Sequence, residues 1–255
     1  MTKSLLEVSN LQMRFGGLLA VDQINFSVRN NEVFSVIGPN GAGKTTVFNC
    51  VSGFYKPAGG SVILDGVRID RLPSHVVAGK GLVRTFQNIR LFKDLTVLEN
   101  LLVAQHSQIK TGLLQGLFAT PSYRKAEHEA LKNAAAWLNR LGLTSVANRE
   151  AGTLPYGHQR LVEIARCMIT KPRLLMLDEP AAGLNPQEKI ELAKLIDSLR
   201  TEFGISVLLI EHDMSLVMEI SDRILVMEYG RAIATGLPLE IQNDPRVIKA
   251  YLGEE

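Results

Sequence analysis

The stretch "EVFSVIGPNGAGKTTVFNCVSG" limits what this chain can fold into more than any other. It opens with a short, nearly continuous apolar run, as expected for a strand buried on both faces of a parallel sheet. The loop Gly38 to Thr46 then fits the pattern G-x-x-x-x-G-K-[ST], and "TTVFNCVSG" reads as a helix stopped at Gly53. Strand, glycine loop and helix N-terminus in this order form a cradle for phosphate groups. Glycines let backbone N–H groups turn inward, and the helix start adds positive potential there. Gly38, Pro39, Asn40, Gly41, Ala42, Gly43, Lys44, Thr45 and Thr46 are therefore the expected nucleotide-binding residues. Lys44 supplies a point charge to the β- and γ-phosphates, and Thr45 offers its hydroxyl to Mg²⁺.

Two further runs, "RLLMLDEP" and "VLLIEH", have the same character of buried parallel strands. Between them "NPQEKIELAKLIDSLRTEFG" carries an N-cap at Asn185, Pro186 at the first helical position and Glu188 three residues after the cap. Ile190, Ala193, Leu195, Ile196 and Leu199 recur at roughly helical spacing, and Gly204 closes the helix. Strand, helix, strand is a βαβ crossover, so the core is α/β. Ile24, Phe26 and Val28 alternate as in a half-exposed antiparallel strand, which places an antiparallel β part at the start of the chain. From about Thr96 to Thr170 the pattern is helical. The expected organisation is a single domain whose core spans 1–87 and 171–255, with an inserted helical subdomain at 88–170 and a helical tail at 237–255. A closing strand pair turns around Tyr229-Gly230.

Composition closes off several classes. The 255 residues are 46% hydrophobic and 21% charged, an ordinary balance for a packed protein. A formal net charge of +2, with scattered Lys and Arg, gives no footprint for nucleic acid. No apolar run approaches the roughly 20 residues that cross a bilayer, and the first residues lack the apolar core of a signal peptide. The two cysteines, Cys50 and Cys167, lack metal-ligand spacing and read as reduced, buried thiols of a cytosolic protein.

Asp178 and Glu179 end one buried strand, where open α/β sheets place their ligands. Adjacent carboxylates repel unless one faces a cation. Asp178 is then the expected Mg²⁺ ligand and Glu179 the base that takes a proton from the attacking water, an effect typically worth 10²–10⁴-fold. His212 ends another buried strand and is the candidate γ-phosphate contact. His75, His106 and His128 read as solvent-facing or supporting residues, and Trp137 as core.

Taken together, these motifs resemble the ATP-binding cassette (ABC) ATPases over nearly the whole chain. "MRFGG" is similar to the aromatic adenine-stacking loop, with Phe15 as the ring, and "RTFQN" to the glutamine loop, with Gln87 near Mg²⁺. "LPYGHQR" stands where the family carries its signature LSGGQ. Here a Pro, a Tyr and a Gly in succession make a poor helix and a poor strand, followed by a helix expected from His158. The resemblance implies that Leu154, Pro155, Tyr156, Gly157, His158 and Gln159 close on the ATP of the opposite protomer in a head-to-tail dimer. The following helix would bury Leu161, Ile164, Ala165 and Met168. Gly183, Leu184 and Asn185 match the D-loop, and His212 matches the switch histidine. Three departures stand out: Pro155 replaces a Ser, removing a hydroxyl and an N–H, Tyr156 replaces a Gly, and Asn185 replaces an Asp.

Finer resemblance, in "FGGLLAVD", "TFQNIRLFKDLTVLENLLVAQH", "LDEPAAGLNP" and "AYLGEE", is to the larger ATPase subunit of branched-chain amino acid importers. It implies an ABC ATPase partner (a second copy or a smaller ATPase subunit), two membrane permease subunits and, indirectly, an extracytoplasmic substrate-binding protein. It also implies ATP and Mg²⁺ as cofactors and a cytoplasmic position, peripheral on the inner face of the cell membrane. The stretch "SQIKTGLLQGLFATPSYRK" is similar to that subunit's insertion, whose neighbour would be a permease, although its apolar residues would equally serve as core. A cassette for lipid export or for other amino acids keeps the same motifs. A soluble ABC protein acting on DNA or ribosomes fits less well, because the chain holds one cassette and no heptad run. A GTPase fits poorly, because no N-K-x-D guanine motif occurs.

Overall fold

A computed structural model describes residues 4–106 and 121–252, so most of the expected insertion lies outside the described residues. The described chain falls into two compact units, residues 1–87 with 173–255 and residues 88–172.

The first unit holds two sheets. The four-stranded sheet has the order β2-β1-β4-β5 and is antiparallel throughout. Its strands are β1 (Ser4–Phe15), β2 (Leu18–Arg29), β4 (Gly59–Leu64) and β5 (Val67–Arg68). The six-stranded sheet has the order β10-β9-β3-β8-β7-β6. It comprises β3 (Val33–Ile37), β6 (Leu82–Arg84), β7 (Leu174–Asp178), β8 (Ser206–Ile210), β9 (Arg223–Glu228) and β10 (Arg231–Gly236). Its pairings are parallel except β9 with β10, which form the closing hairpin. All five residues of each of β3, β7 and β8 are buried, which is why their sequences run apolar without alternation.

Successive side chains still divide between the two faces. Phe34, Val36, Met176, Leu208 and Ile210 join the core that also contains Leu6, Val8, Ile24 and Val28 of the antiparallel sheet. Ile37, Ile224 and Val226 face the opposite way, into a cluster with Val217, Ile241 and Val247. The helices of this unit are α1 (Lys44–Val51), α2 (Ser74–Gly79), α6 (Pro186–Thr201), α7 (Met214–Ile220), α8 (Pro238–Gln242) and α9 (Pro245–Leu252).

The second unit is helical: α3 (Val97–His106), α4 (Pro121–Arg140) and α5 (Tyr156–Met168), with two short 3₁₀ turns between α4 and α5. Val97, Leu101, Ala134, Leu138, Leu143, Leu154, Val162, Ala165 and Ile169 form its core, and Trp137 packs against that core half-buried.

Two helices differ from the sequence reading. α5 starts at Tyr156 rather than His158, because Pro155 takes the N-cap position in extended conformation (φ −53°, ψ 150°) and the helix follows at once. Leu161 is half-buried there, while Ile164, Ala165 and Met168 are buried as expected. In α6, Ile190 is 45% exposed and Leu192 is buried in its place. At 3.6 residues per turn the two point about 200° apart, and Leu192 shares the stripe of Ala193, Ile196 and Leu199.

Candidate nucleotide site

The glycine loop leaves β3 at Ile37 and enters α1 at Lys44. Only glycine fits at two of its positions. Gly38 has φ 147°, and a Cβ there would meet the Met227 carbonyl oxygen at 2.0 Å. Gly43 has φ 96°, and a Cβ would sit 2.7 Å from the Ala20 carbonyl oxygen. Lys44 Nζ donates to the carbonyls of Gly38 (2.6 Å) and Pro39 (3.0 Å), so the lysine folds back along its own loop. Burial lowers its pKa, opposed by the negative charges of Glu179 and Asp178.

Above the loop lies a cavity of about 460 Å³, within the range that small-ligand sites occupy. Asn40 to Thr46 form one wall, and Gln87 and Glu179 contribute polar side chains. Leu18, Leu19 and Ala20 of β2 and the Tyr229-Gly230 turn complete it. Phe15, the expected adenine platform, is not among the lining residues. Its ring stands edge-on to Tyr55 with centroids 5.4 Å apart.

Tyr229 and Gly230 were legible as a turn but not as part of a site. Both have positive φ (44° and 80°), the combination that a tight two-residue hairpin turn requires. Gly230 N–H donates to Ala42 O at 3.0 Å, and Asp22 N–H donates to Gly230 O at 2.8 Å, so the turn braces the glycine loop against β2. Tyr229 itself is 87% exposed.

Beyond β7 the two carboxylates separate. Asp178 is buried and accepts from Arg84 Nη2 at 2.8 Å through Oδ2. Glu179 adopts φ 48°, a left-handed conformation uncommon for a residue with a side chain, and its N–H donates to Ile210 O at 2.9 Å. Gln87 Nε2 donates to Glu179 Oε2 at 2.9 Å. His212 is 61% exposed, with Nδ1 4.0 Å from Glu179 Oε2 and 3.9 Å from Glu211 Oε2. Glu211, which sequence reasoning passed over, is buried and accepts backbone N–H groups from Ala181, His212 and Asp213.

Thr45, Gln87 and Asp178 offer hydroxyl, amide and carboxylate oxygens, the hard donors that Mg²⁺ prefers. Among the described residues no group of three or more His, Cys, Asp or Glu side chains could hold a metal.

Past Glu179 the chain turns through Ala182 N–H to Glu179 O and Leu184 N–H to Ala181 O, with Gly183 at φ 76°. Asn185 then caps α6 in a reciprocal box: its Oδ1 accepts from Glu188 N–H at 3.0 Å, and Glu188 Oε2 accepts from Asn185 N–H at 2.8 Å.

The expected signature residues belong to the helical unit. Leu154 is buried and Pro155 exposed, and Gln159 Nε2 donates to Leu154 O at 2.8 Å. Tyr156, Gly157 and His158 occupy the first turn of α5, where helical N–H groups have no partner within the helix. Arg160 anchors that turn from inside. It reaches Tyr156 Oη at 3.1 Å and Glu163 Oε2 at 2.7 Å, and Glu163 Oε1 accepts from Arg90 N–H at 3.2 Å.

The sequence pattern of ABC transporters matches residues 21–182, from β2 through Glu179. The chain belongs to the ABC transporter family. A second pattern, of the branched-chain amino acid ATP-binding cassette transporters, matches residues 233–255 of this ABC ATPase. The high-affinity branched-chain amino acid transport ATP-binding protein BraF of Pseudomonas aeruginosa is 61% identical over 254 residues, covering 100% of both chains. The corresponding LivG of Escherichia coli K12 is 59% identical with the same coverage. Among solved structures, the ADP conformation of MJ1267, an ATP-binding cassette of an ABC transporter, superposes with a TM-score of 0.86. It is 34% identical and covers 99% of this chain and 100% of that one. The chain is an ABC-type ATPase with an α/β P-loop fold.

Proposed function

We propose that this ABC ATPase is the ATP-hydrolysing motor subunit of a branched-chain amino acid importer. The observation that carries the reading is similarity of 61% and 59% along the entire chain to ATP-binding proteins of that transport class.

The geometry supplies a mechanism. The glycine loop and Lys44 grip the triphosphate, so that substrate charge falls on fixed N–H dipoles and one ammonium. Glu179 projects into the cavity and serves as the base for water, with Gln87 holding the carboxylate at 2.9 Å. His212, beside Glu179, contacts the γ-phosphate side. Thr45, Gln87 and Asp178 would hold Mg²⁺, which when bound neutralises charge on the β- and γ-phosphates. Phe15, outside the lining but paired with the lining residue Leu18 across the β1–β2 hairpin, is assigned to the adenine end of the nucleotide. Leu154 to Gln159 present the first turn of α5 to the ATP of a partner cassette, a second copy or a smaller ATPase subunit. Gly183, Leu184 and Asn185 are assigned to the contact across the ATPase pair. Closure of the ATPase pair drives two membrane permeases served by an extracytoplasmic binding protein. No described helix is long and apolar enough to cross a membrane. In this reading the chain attaches at the cytoplasmic face through the permeases.

The test combines the motor and its cargo. Glu179→Gln is expected to bind ATP, lose hydrolysis and accumulate as an ATP-bound dimer on a sizing column. Cells lacking the chain should lose uptake of radiolabelled leucine and regain it with the wild type but not with the variant. Hydrolysis by Glu179→Gln at the wild-type rate would remove Glu179 as the base. Undiminished leucine uptake without the chain would remove the cargo.

A further inference from the structure

We infer that Arg84 is the positioning residue of the Asp178–Glu179 pair, a role resting on the reading of Glu179 as the base. Arg84 ends the edge strand β6, and its side chain is only 6% exposed. One guanidinium gathers three elements. Nη2 donates to Asp178 Oδ2 at the end of β7 (2.8 Å). Nη1 donates to Asn49 Oδ1 (2.8 Å) and Ser52 Oγ (3.0 Å), at and just beyond the end of the helix launched by the glycine loop. Nε donates to Thr85 O at 3.3 Å. The rings of Phe86, Phe54 and Phe48 surround the group, with centroids 4.8, 5.4 and 5.9 Å from Cζ. A planar cation enclosed by aromatic rings and met by a buried carboxylate has little freedom to turn.

The residues after Arg84 continue the same hold on β7. Thr85 N–H donates to Met176 O at 2.9 Å, and Thr85 Oγ1 accepts from Asp178 N–H at 3.3 Å. Gln87 then bonds Glu179. Asp178 is thus gripped by side chain and by backbone from one neighbouring strand, immediately before Glu179 turns into its left-handed conformation. Such a conformation persists only where its surroundings over-determine it. Arg84 is what fixes the carboxylate on the near side of that turn, and it ties the same carboxylate to the helix behind the phosphates. Arg84 is not among the residues that line the cavity, and it acts through Asp178.

Lysine cannot replace it fully. An ammonium keeps the charge opposite Asp178 but lacks the fork that reaches Asn49 and Ser52 at the same time. The experiment uses the full chain with Arg84→Lys, Arg84→Gln, Asp178→Asn and the double variant Arg84→Gln/Asp178→Asn. Four quantities are read: melting temperature, ATP-analogue binding in EDTA, Mn²⁺ half-saturation of the ATP-bound protein by electron paramagnetic resonance, and turnover. Arg84→Lys is expected to melt within a few degrees of wild type and to bind nucleotide in EDTA normally. Its Mn²⁺ half-saturation should rise and its turnover fall by about 10–100-fold, the range for residues that orient metal ligands. Arg84→Gln should lose more, and the double variant should be no worse than Asp178→Asn alone. Wild-type Mn²⁺ binding and turnover in Arg84→Lys, or fully additive losses in the double variant, would overturn the assignment. Active Glu179→Gln would instead strike the reading of the base, which separates the two failures.

Discussion

Glu211 accepts a hydrogen bond from the Ala181 N–H at 2.7 Å, joining residues 30 positions apart. Its other oxygen accepts from His212 N–H at 3.0 Å and Asp213 N–H at 3.3 Å. One buried carboxylate thus sets both the turn after Glu179 and the backbone that carries His212. Glu211→Gln leaves a single acceptor oxygen for donors on both sides and aims an NH₂ group at one of them. The expected result is a loss of about 1–3 kcal/mol in stability by urea unfolding, together with slower ATP turnover. A variant with wild-type stability and turnover would show that the switch loop holds itself.

Pro155 stands at the N-cap of α5 without any side-chain cap hydrogen bond. Pro155→Ser adds a hydroxyl that caps the helix, typically worth about 1 kcal/mol, and gives up a similar amount of proline rigidity. Stability should therefore barely move. The hydroxyl also adds a donor at the place where a partner's γ-phosphate is expected, so turnover of the assembled complex should rise. Unchanged turnover in a steady-state phosphate-release assay would show that the proline does not weaken the cap.

Asn185 separates two roles that the sequence merges. Asn185→Ala breaks the capping box and should cost about 1 kcal/mol, visible in thermal melts of the isolated chain. Asn185→Asp keeps an acceptor for Glu188 N–H and should melt like wild type. Any change in turnover by the aspartate variant then reports the contact across the ATPase pair alone.

Both cysteines are buried, and burial pushes each thiol up to about 12. The thiolate is the nucleophile, so at pH 8 almost none is present. Ellman's reagent should find no reactive thiol in the native chain and two after denaturation. Rapid labelling of the native protein would mean that Cys50 or Cys167 is reached by local opening.

The fold was legible wherever one local signal sufficed. Continuous apolar runs marked β3, β7 and β8 as doubly covered strands, and Asn185-Pro186 with Glu188 marked a helix start that the structure builds hydrogen bond by hydrogen bond. What escaped were relationships between distant segments. Arg84 and Asp178 lie 94 positions apart and meet only because β6 pairs with β7. Tyr229 enters the cavity wall because its turn bonds to Ala42 and Asp22, which no hairpin signal encodes. Ile190 and Leu192 differ by two residues, and the choice between them depends on which side of α6 meets the sheet.

The carboxylate pair is steered from the rim of its sheet. β6, three residues long, is one of the sheet's two edge strands and pairs with β7, whereas β3 is bonded on both sides. Rim strands open at a lower free energy than central ones. Warming should therefore release Arg84 and Gln87 from Asp178 and Glu179 while the sheet's interior remains folded. Amide deuteration of Val83 would then run ahead of that of Val36, and the enzyme would fall silent several degrees before it melts.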